Sequence, residues 1–300
     1  MASKKTKKCL FVVNAYETLP PVSHFVKRME NELSLLGIET EVLPASKIFS
    51  FVTGKGDLEH VDLPYDFALF LDKDRYIASM LESAGLKLFN PAKAIELCDD
   101  KMLTYLALSN HGIKMPKTVS APLRYSKKNN DEFLDNVAKT LSFPIVAKAN
   151  FGSMGASVYL ANNEKELREI EEKITYQPHL YQEAIASSFG EDHRLIVIGG
   201  KTFCGYCRKS ANGDFRSNIA AGGHGVKTDI TDKEKEVAEK AAEILGLDYC
   251  GVDLLVGENG EPILCEVNSN AFIEGAEKVT GLNIAKAYAS YIEKVVYEEA

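Results

Sequence analysis

Asp253, Glu266 and Asn268 stand out in the run D-L-L-V-G-E-N-G-E-P-I-L-C-E-V-N. Asn259-Gly260 at its middle is a strong hairpin signal, because a tight two-residue turn needs positive φ at its centre. With those two residues as the turn, Glu258 faces Glu261 and Asp253 falls directly opposite Glu266. Asn268 follows on the same face, since side chains alternate along a strand. Like charges directly opposite each other destabilise a sheet. Yet Val252, Leu254, Leu255, Val256, Ile263, Leu264 and Val267 surround the pair, and a buried carboxylate needs a partner. Two carboxylates and an amide oxygen are hard ligands that suit a magnesium ion which also holds phosphates. A solvated hairpin with surface acids is the plainer alternative. The apolar residues on both faces weigh against it.

Other positions carry weaker signals. Lys148 ends the apolar strand P-I-V-A-K and precedes the glycine loop Gly152-Ser153-Met154-Gly155. A lysine there can reach phosphates while the loop's backbone N–H groups form an anion-binding concavity. There is no G-K-[ST], so this is not a Walker A loop, and a lysine snorkelling from a strand end is the alternative. Lys101 alone says less. Arg216, Ser217 and Asn218 lie among Gly213, Gly222, Gly223 and Gly225. An arginine, a hydroxyl and an amide in succession can grip an oxyanion; a flexible surface loop is an equal reading. The short strand Leu180 to Ile185 could offer its edge to an adenine, with Asp192 near a ribose after the polar turn Ser187 to Asp192.

Strand and helix patterns alternate from Cys9 to about Asn90: strands at Cys9–Val13, Glu39–Leu43, Phe67–Leu71 and Leu86–Phe89, helices at Val22–Leu36 and Arg75–Ala84. That is a small α/β unit with a parallel sheet. No G-x-G-x-x-G follows its first strand, so nothing supports a dinucleotide site there. One helix is expected from about Asp99 to Asn110. A second α/β segment follows, with helices at Asp131–Leu141 and Glu164–Ile174 and strands at Ile145–Ala149 and Ser157–Leu160. The lysine-rich patch at Tyr125 to Lys128 reads as a solvated loop. Strands at Leu195–Ile198 and Thr202–Arg208, a polar loop from Ser210 to Thr228, a helix at Lys233–Leu245, the hairpin and a last helix at Ile284–Tyr297 complete the chain.

Composition narrows the class. Three hundred residues, 45% of them hydrophobic, suffice for a sizeable core in two or three units. A net charge of −8 argues against a general nucleic-acid binder, while leaving room for a local basic pocket for ATP. The basic start and the apolar run Cys9 to Val13 are too short for a signal peptide. No stretch reaches transmembrane length, and a cytoplasmic protein is expected. Six scattered cysteines suit reduced, buried thiols. Cys204 and Cys207 form a C-x-x-C with no second pair, and strand cysteines are a better reading than a zinc or redox site.

In this order the pieces resemble the ATP-grasp superfamily and, within it, the RimK-type branch of glutamate ligase-like enzymes. The likeness runs from about Asp99 to Ala300. It rests on D-K-M-L-T, P-I-V-A-K, Y-Q-E-A-I, D-H-R, G-D-F-R-S-N with G-G, G-V-D-L-L, E-V-N-S and E-G-A-E-K-V-T-G. The resemblance implies an α/β (α+β) chain with an ATP-grasp fold behind an N-terminal Rossmann-like pre-ATP-grasp domain. The expected units are 1–97, 98–180 with the glycine-loop lid, and 181–300 with the metal site.

The same resemblance implies roles. Lys101 and Lys148 would bind ATP phosphates. Glu183, Ala184 and Ile185 would frame the adenine, and Asp192 the ribose. Arg216 and Asn218 would be catalytic, meeting the transferring phosphate and the acyl intermediate beside Ser217. Asp253, Glu266 and Asn268 would hold Mg²⁺, with Mn²⁺ as a substitute. The implied reaction is an ADP-forming carboxylate–amine ligation through an acyl phosphate. The implied partners are an amino acid and a carboxylate, peptide or protein acceptor, with no nucleic acid or membrane, and a homo-oligomer at family level only. Ala220-Ala221 and Asn270-Ala271-Phe272-Ile273 depart from the branch near the expected acceptor site, which leaves the substrates open. A phosphotransferase and a non-catalytic nucleotide sensor are the competing readings; retention of Lys148, Arg216, Asp253, Glu266 and Asn268 argues against the sensor.

Overall fold

The computed structural model describes residues 6–16, 19–60, 62–126, 131–152, 155, 157–217 and 222–298. The chain opens with strands β1 (Lys8–Val13), β2 (Glu39–Pro44), β3 (Ser50–Val52), β4 (Leu58–His60), β5 (Phe67–Phe70) and β6 (Lys87–Phe89), and helices α1 (Pro20–Leu35), α2 (Arg75–Ser83), α3 (Ala92–Asp99) and α4 (Lys101–Leu108). Four of these strands form a parallel sheet in the order β2-β1-β5-β6. A parallel sheet is covered on both faces, so its central strands are continuous apolar runs. Every residue of β5 is buried, as is β1 from Cys9 onward. Alternate residues of β1 serve two cores: Leu10 and Val12 pack with α2 and α3, while Cys9, Phe11 and Val13 pack with α1 and with the last helix of the chain.

The second sheet comprises β7 (Thr118–Ser120), β8 (Ile145–Ala149), β9 (Val158–Ala161) and β10 (His179–Glu183), antiparallel in the order β7-β10-β8-β9. Helices α5 (Asp131–Leu141) and α6 (Glu164–Ile174) close one face over Ile145, Ala147 and Tyr181. Period-two alternation leaves Val146, Lys148 and Gln182 on the other. The third sheet comprises β11 (Glu191–Ile198), β12 (Lys201–Lys209), β13 (His224–Val226), β14 (Tyr249–Val256) and β15 (Pro262–Asn268), in the order β13-β12-β11-β14-β15. Helix α7 (Asp232–Leu245) covers Leu195, Val197, Val252 and Leu254 on one face. Helices α8 (Glu274–Thr280) and α9 (Ile284–Glu298) join the first sheet's core on the other, through Ile196, Tyr206 and Tyr249. Among the described residues no helix is long and apolar enough to cross a membrane. Strands β3 and β4 pair as a small fourth sheet within the first unit; the three larger sheets follow the order of the three expected units, and we propose those as the units of the fold, with β10 carrying the second sheet on to Glu183.

Several expectations change. The helix expected from about Asp99 to Asn110 is α4, and a further helix that was not expected, α3, precedes it, the two separated at Asp100 (φ −95°, ψ 108°). The Asp100 carboxylate accepts the N–H groups of Met102 and Leu103, at 2.8 and 3.2 Å, and so caps α4. The polar turn expected to end at Asp192 is shorter. Glu191 and Asp192 already belong to β11, which lengthens the strand and gives Asp192 a cross-strand partner. The loop from Ser210 to Thr228 contains β13. The lysine patch runs into 127–130, outside the described residues.

Asn90 joins the first unit to the third. It is 2% exposed and makes four hydrogen bonds. Its Nδ2 donates to the carbonyls of Tyr249 and Ser269, both at 2.8 Å, and its Oδ1 accepts the N–H groups of Asp248 and Tyr249 at 2.8 and 2.9 Å. Removing the amide strands buried backbone groups. Asn90→Leu is expected to lower the unfolding free energy by about 3 kcal/mol, measured by urea denaturation; an unchanged midpoint would show that the pin carries no stability.

Candidate active site

A ladder of alternating charge runs across three strands of the third sheet. Register sets Asp192 opposite Arg208 and Arg194 opposite Asp253. Arg208 grips Asp192 through Nε (2.6 Å) and Nη2 (2.5 Å). Arg194 grips Asp253 through Nε and Nη2, both at 2.6 Å. Arg208 Nη2 also lies 2.9 Å from Asp253 Oδ2 and links the two pairs. Asp192, Arg208 and Asp253 are buried. Burial opposes the charge on Asp253, but the guanidiniums of Arg194 and Arg208 prevail and hold its carboxyl below the ordinary value. Burial likewise opposes the Arg208 charge, and Asp253 and Asp192 outweigh it. Two acids and two guanidiniums leave the ladder neutral, the condition under which buried ions persist.

Glu266 lies opposite Asp253 on β15, as the sequence implies, but the turn that puts it there is different. Gly257 bonds with Glu261 (2.9 Å), and Gly260 takes φ +78°. This is a three-residue loop with a left-handed glycine rather than a two-residue turn. Glu261 therefore faces Gly257, not Glu258. The pairing is one residue out until a bulge at Cys265, which has no partner on β14, restores it. Without that bulge Asp253 would meet Cys265, and Glu266 would turn to the α7 face.

Asp253, Glu266 and Asn268 do share one face. As donors they fit a hard cation. Asp253 accepts from Arg194 twice, from Arg208 and, at 3.4 Å, from Asn268 Nδ2. Three of those contacts fall on Oδ2 and one on Oδ1, so Oδ1 keeps an acceptor position. Glu266 is the open member, with a side chain 27% exposed and Lys101 Nζ at 3.4 Å.

The second sheet brings its lysine to the same place. Lys148 Nζ lies 3.8 Å from Cys265 Sγ at the bulge. Burial opposes its charge; of the neighbours that favour it, Cys265, Tyr105 and Glu266, the first two do so only as anions. Burial also pushes the Cys265 thiol and the Tyr105 phenol up. Both are therefore neutral near pH 7, and Glu266 is the one anion among these three neighbours. Lys101, at the start of α4, donates from Nζ to the Gly152 carbonyl at 3.0 Å.

Lys101, Lys148, Asp253, Cys265 and Glu266 line one cleft between the second and third sheets, which Asn268 does not border. Glu183 and Ile185 line it with Ala184 between them, and Glu183 Oε1 accepts the Lys117 N–H at 2.8 Å. Val146, Val158, Ile185 and Leu255 give the cleft apolar walls beside the lysines, the mixture a nucleotide needs. Asp192 lines it too, although both its oxygens are held by Arg208. Arg216 chelates Asp214 (2.7 and 3.0 Å) and donates from Nη1 to the Gly155 carbonyl at 2.8 Å. That last bond ties the loop after β12 to the glycine loop. The Asp214 hydrogen bond raises the Arg216 pKa. Ser217 is buried at the cleft wall, whereas Asn218 lies outside the described residues. Sequence reasoning missed Arg194, Arg208 and Cys265. The available signal was a pair of arginines inside the apolar strands R-L-I-V-I and F-C-G-Y-C-R.

A RimK-like ATP-grasp domain model matches residues 98–292. The chain belongs to this family. Human N-acetylaspartylglutamate synthase A is 33% identical over 221 residues, covering 73% of this chain and 56% of that protein. The chain thus spans about half the length of that relative. A probable alpha-L-glutamate ligase of Psychromonas ingrahamii is 39% identical, over 73% of this chain and 70% of the relative. The ATP-grasp ligase PsnB, solved with a phosphomimetic variant of its minimal precursor, Mg and ADP, superposes with a TM-score of 0.68 at 17% identity, covering 95% and 97% of the two chains. At that identity the likeness extends to the fold alone. RimK-like ATP-grasp enzymes use ATP.

The ladder makes stability depend on pH. Asp253's depressed carboxyl contributes stability that is present above the ordinary value of 3.8 and is lost as pH falls through the lower folded value. Arg208→Met strips one guanidinium from two buried acids. It is expected to cost about 3–5 kcal/mol and to move acid unfolding to higher pH, read by circular dichroism along an acid titration. An unchanged acid midpoint would mean that the ladder is not what holds these carboxylates ionised.

Proposed function

We propose that this protein is an ATP-dependent carboxylate–amine ligase that forms an amide through an acyl phosphate and releases ADP and phosphate. The observation that carries the reading is the meeting in one cleft of Lys148 from the second sheet and Lys101 from α4 with Glu266 and Asp253 from the third sheet. A bound group of high negative charge with its own counter-cation makes use of both the lysines and the acids at once. Mg²⁺–ATP is such a group, and Mn²⁺ is expected to substitute. Glu266 and Asp253, with Asn268 beside them, would hold the cation, which neutralises phosphate charge.

The chain's own residues then account for the chemistry. Lys148 and Lys101 draw off negative charge as a substrate carboxylate oxygen attacks the γ-phosphorus and ADP leaves. Arg216 faces the developing oxyanion when an amine attacks the acyl carbon and phosphate departs. Asn218 is assigned beside it. Glu183, Ala184 and Ile185 frame the base, and Asp192 sits at the ribose end. Gly152 and Gly155 line the cleft, Arg216 holds the Gly155 carbonyl, and these glycines would help keep water from the acyl phosphate.

The named relatives share glutamate in the product or in the enzyme name, so glutamate is the amine donor to try first. The carboxylate partner is a small acid or a peptide end. Among the described residues the cysteines are unpaired, which fits a cytoplasmic site.

The test is ADP release from Mg²⁺–ATP with glutamate and a panel of carboxylates, with mass spectrometry of the products. A new amide mass supports the ligase; a phosphorylated product without amine dependence overturns it. Glu266→Gln is the cleaner variant, because Asp253→Asn also strands two buried guanidiniums. Glu266→Gln is expected to lower turnover by about a hundredfold or more with an unchanged unfolding midpoint. Turnover like the wild type would remove Glu266 from the site.

A further inference from the structure

On the α7 face of the third sheet, behind the ladder, three metal-capable side chains meet. Glu191 and His193 alternate along β11, and Cys207 sits opposite His193 on β12. One ligand atom from each lies within 4.8 Å of the others. Cys207 is buried, and its Sγ lies 3.2 Å from Glu191 Oε1. The His193 ring is oriented from outside the group: its Nδ1 lies 2.5 Å from Glu234 Oε1. Glu234 is itself fixed, since its Oε2 accepts both the N–H and the hydroxyl of Thr231 at 2.7 Å in the capping box of α7.

We propose that Glu191, His193 and Cys207 form a site for a thiophilic divalent cation of the zinc class. Thiolate, imidazole and carboxylate together are the donors zinc favours, whereas magnesium takes oxygens alone. The carboxylate on the far ring nitrogen is the arrangement that orients metal-binding histidines, and it leaves Nε2 for the cation. Lys209 Nζ, 3.0 Å from Glu191 Oε2, is the contact the cation displaces; both partners are about half exposed, so little is lost. Binding forms a sulfur–metal bond and releases the Cys207 proton to solvent. Burial, then Glu191, push that thiol up to about 12, so the cation must displace a firmly held proton. Three protein donors leave a fourth position for water.

The C-x-x-C is not the site. Cys204 and Cys207 are three apart on one strand, so they point to opposite faces. Cys204 packs towards Tyr206 and the α8–α9 side. The cation would instead clamp β11 to β12 and, through Glu234, to the start of α7, directly behind Asp192 and Arg194.

The test uses the whole protein, stripped with a chelator and titrated with Co²⁺ or Zn²⁺ alone in Mg²⁺-containing buffer. Expected are one equivalent bound, a near-ultraviolet thiolate-to-cobalt charge-transfer band, and a higher unfolding temperature with Zn²⁺. Cys207→Ser is expected to lose the band and to bind at least about tenfold more weakly, His193→Gln to weaken binding by about 10–100-fold, and Cys204→Ser to change neither. Should Cys207→Ser fail to fold, Glu191→Gln, at a half-exposed position, carries the same comparison. No binding, a band that survives Cys207→Ser, or binding that is lost only in Glu266→Gln would overturn the site.

Discussion

The third sheet depends on keeping Asp253 ionised in a place from which water is excluded. An isolated carboxylate there would cost several kcal/mol. The protein meets this with charge of opposite sign from neighbouring strands: Arg194 from β11 and Arg208 from β12, with Asp192 balancing the second guanidinium. Because each contact crosses a strand boundary, the ladder also fixes register. A slip of one residue on β11 would put His193 against Asp253 and bury both arginines elsewhere without partners.

That same ladder shapes the cleft. It presents a neutral, hydrogen-bonded floor whose acidic outer edge is Glu266, with Lys148 on the opposite wall and Lys101 beside Glu266. Lys148 comes from the second sheet, so its place in the cleft depends on how the two sheets meet, whereas Lys101 comes from α4, which packs on the third sheet. The bulge at Cys265 sits at this junction. It turns Glu266 to the cleft face and places a neutral thiol beside Lys148. The Tyr105 hydroxyl holds the Cys265 carbonyl at 2.5 Å, so α4 braces the bulge from behind. A phosphate entering the cleft would therefore give Lys148 an anionic partner in addition to Glu266.

Alternation along β11 and β12 gives the sheet two chemical faces. Asp192, Arg194 and Arg208 look one way, and Glu191, His193 and Cys207 the other. Neighbouring residues of a strand share a backbone and differ only in the side they serve. The face buried under α7 and the face that borders the cleft are thus mechanically one object.

Much of this was legible in the sequence. The hairpin acids, Lys148 before its glycine loop, the parallel first unit and the amphipathic helices all follow from short-range rules of turn chemistry and period. The pairing of Asp253 with Glu266 was legible for an incomplete reason: the two-residue turn and the real three-residue turn plus bulge lead to the same partner. A bulge leaves little trace in local composition, because it is selected by what the whole sheet must bury. Helix α3 escaped the sequence reading, and Asp100 shows itself as the cap of α4 only through its bonds to Met102 and Leu103. The arginine partners of Asp253, Asn90's bridge to Tyr249 and Ser269, and the meeting of Glu191 with Cys207 were decided by tertiary structure alone. Each joins residues from separate strands or units, and their contact depends on register and sheet packing, which are properties of the assembled core and not of any stretch of chain.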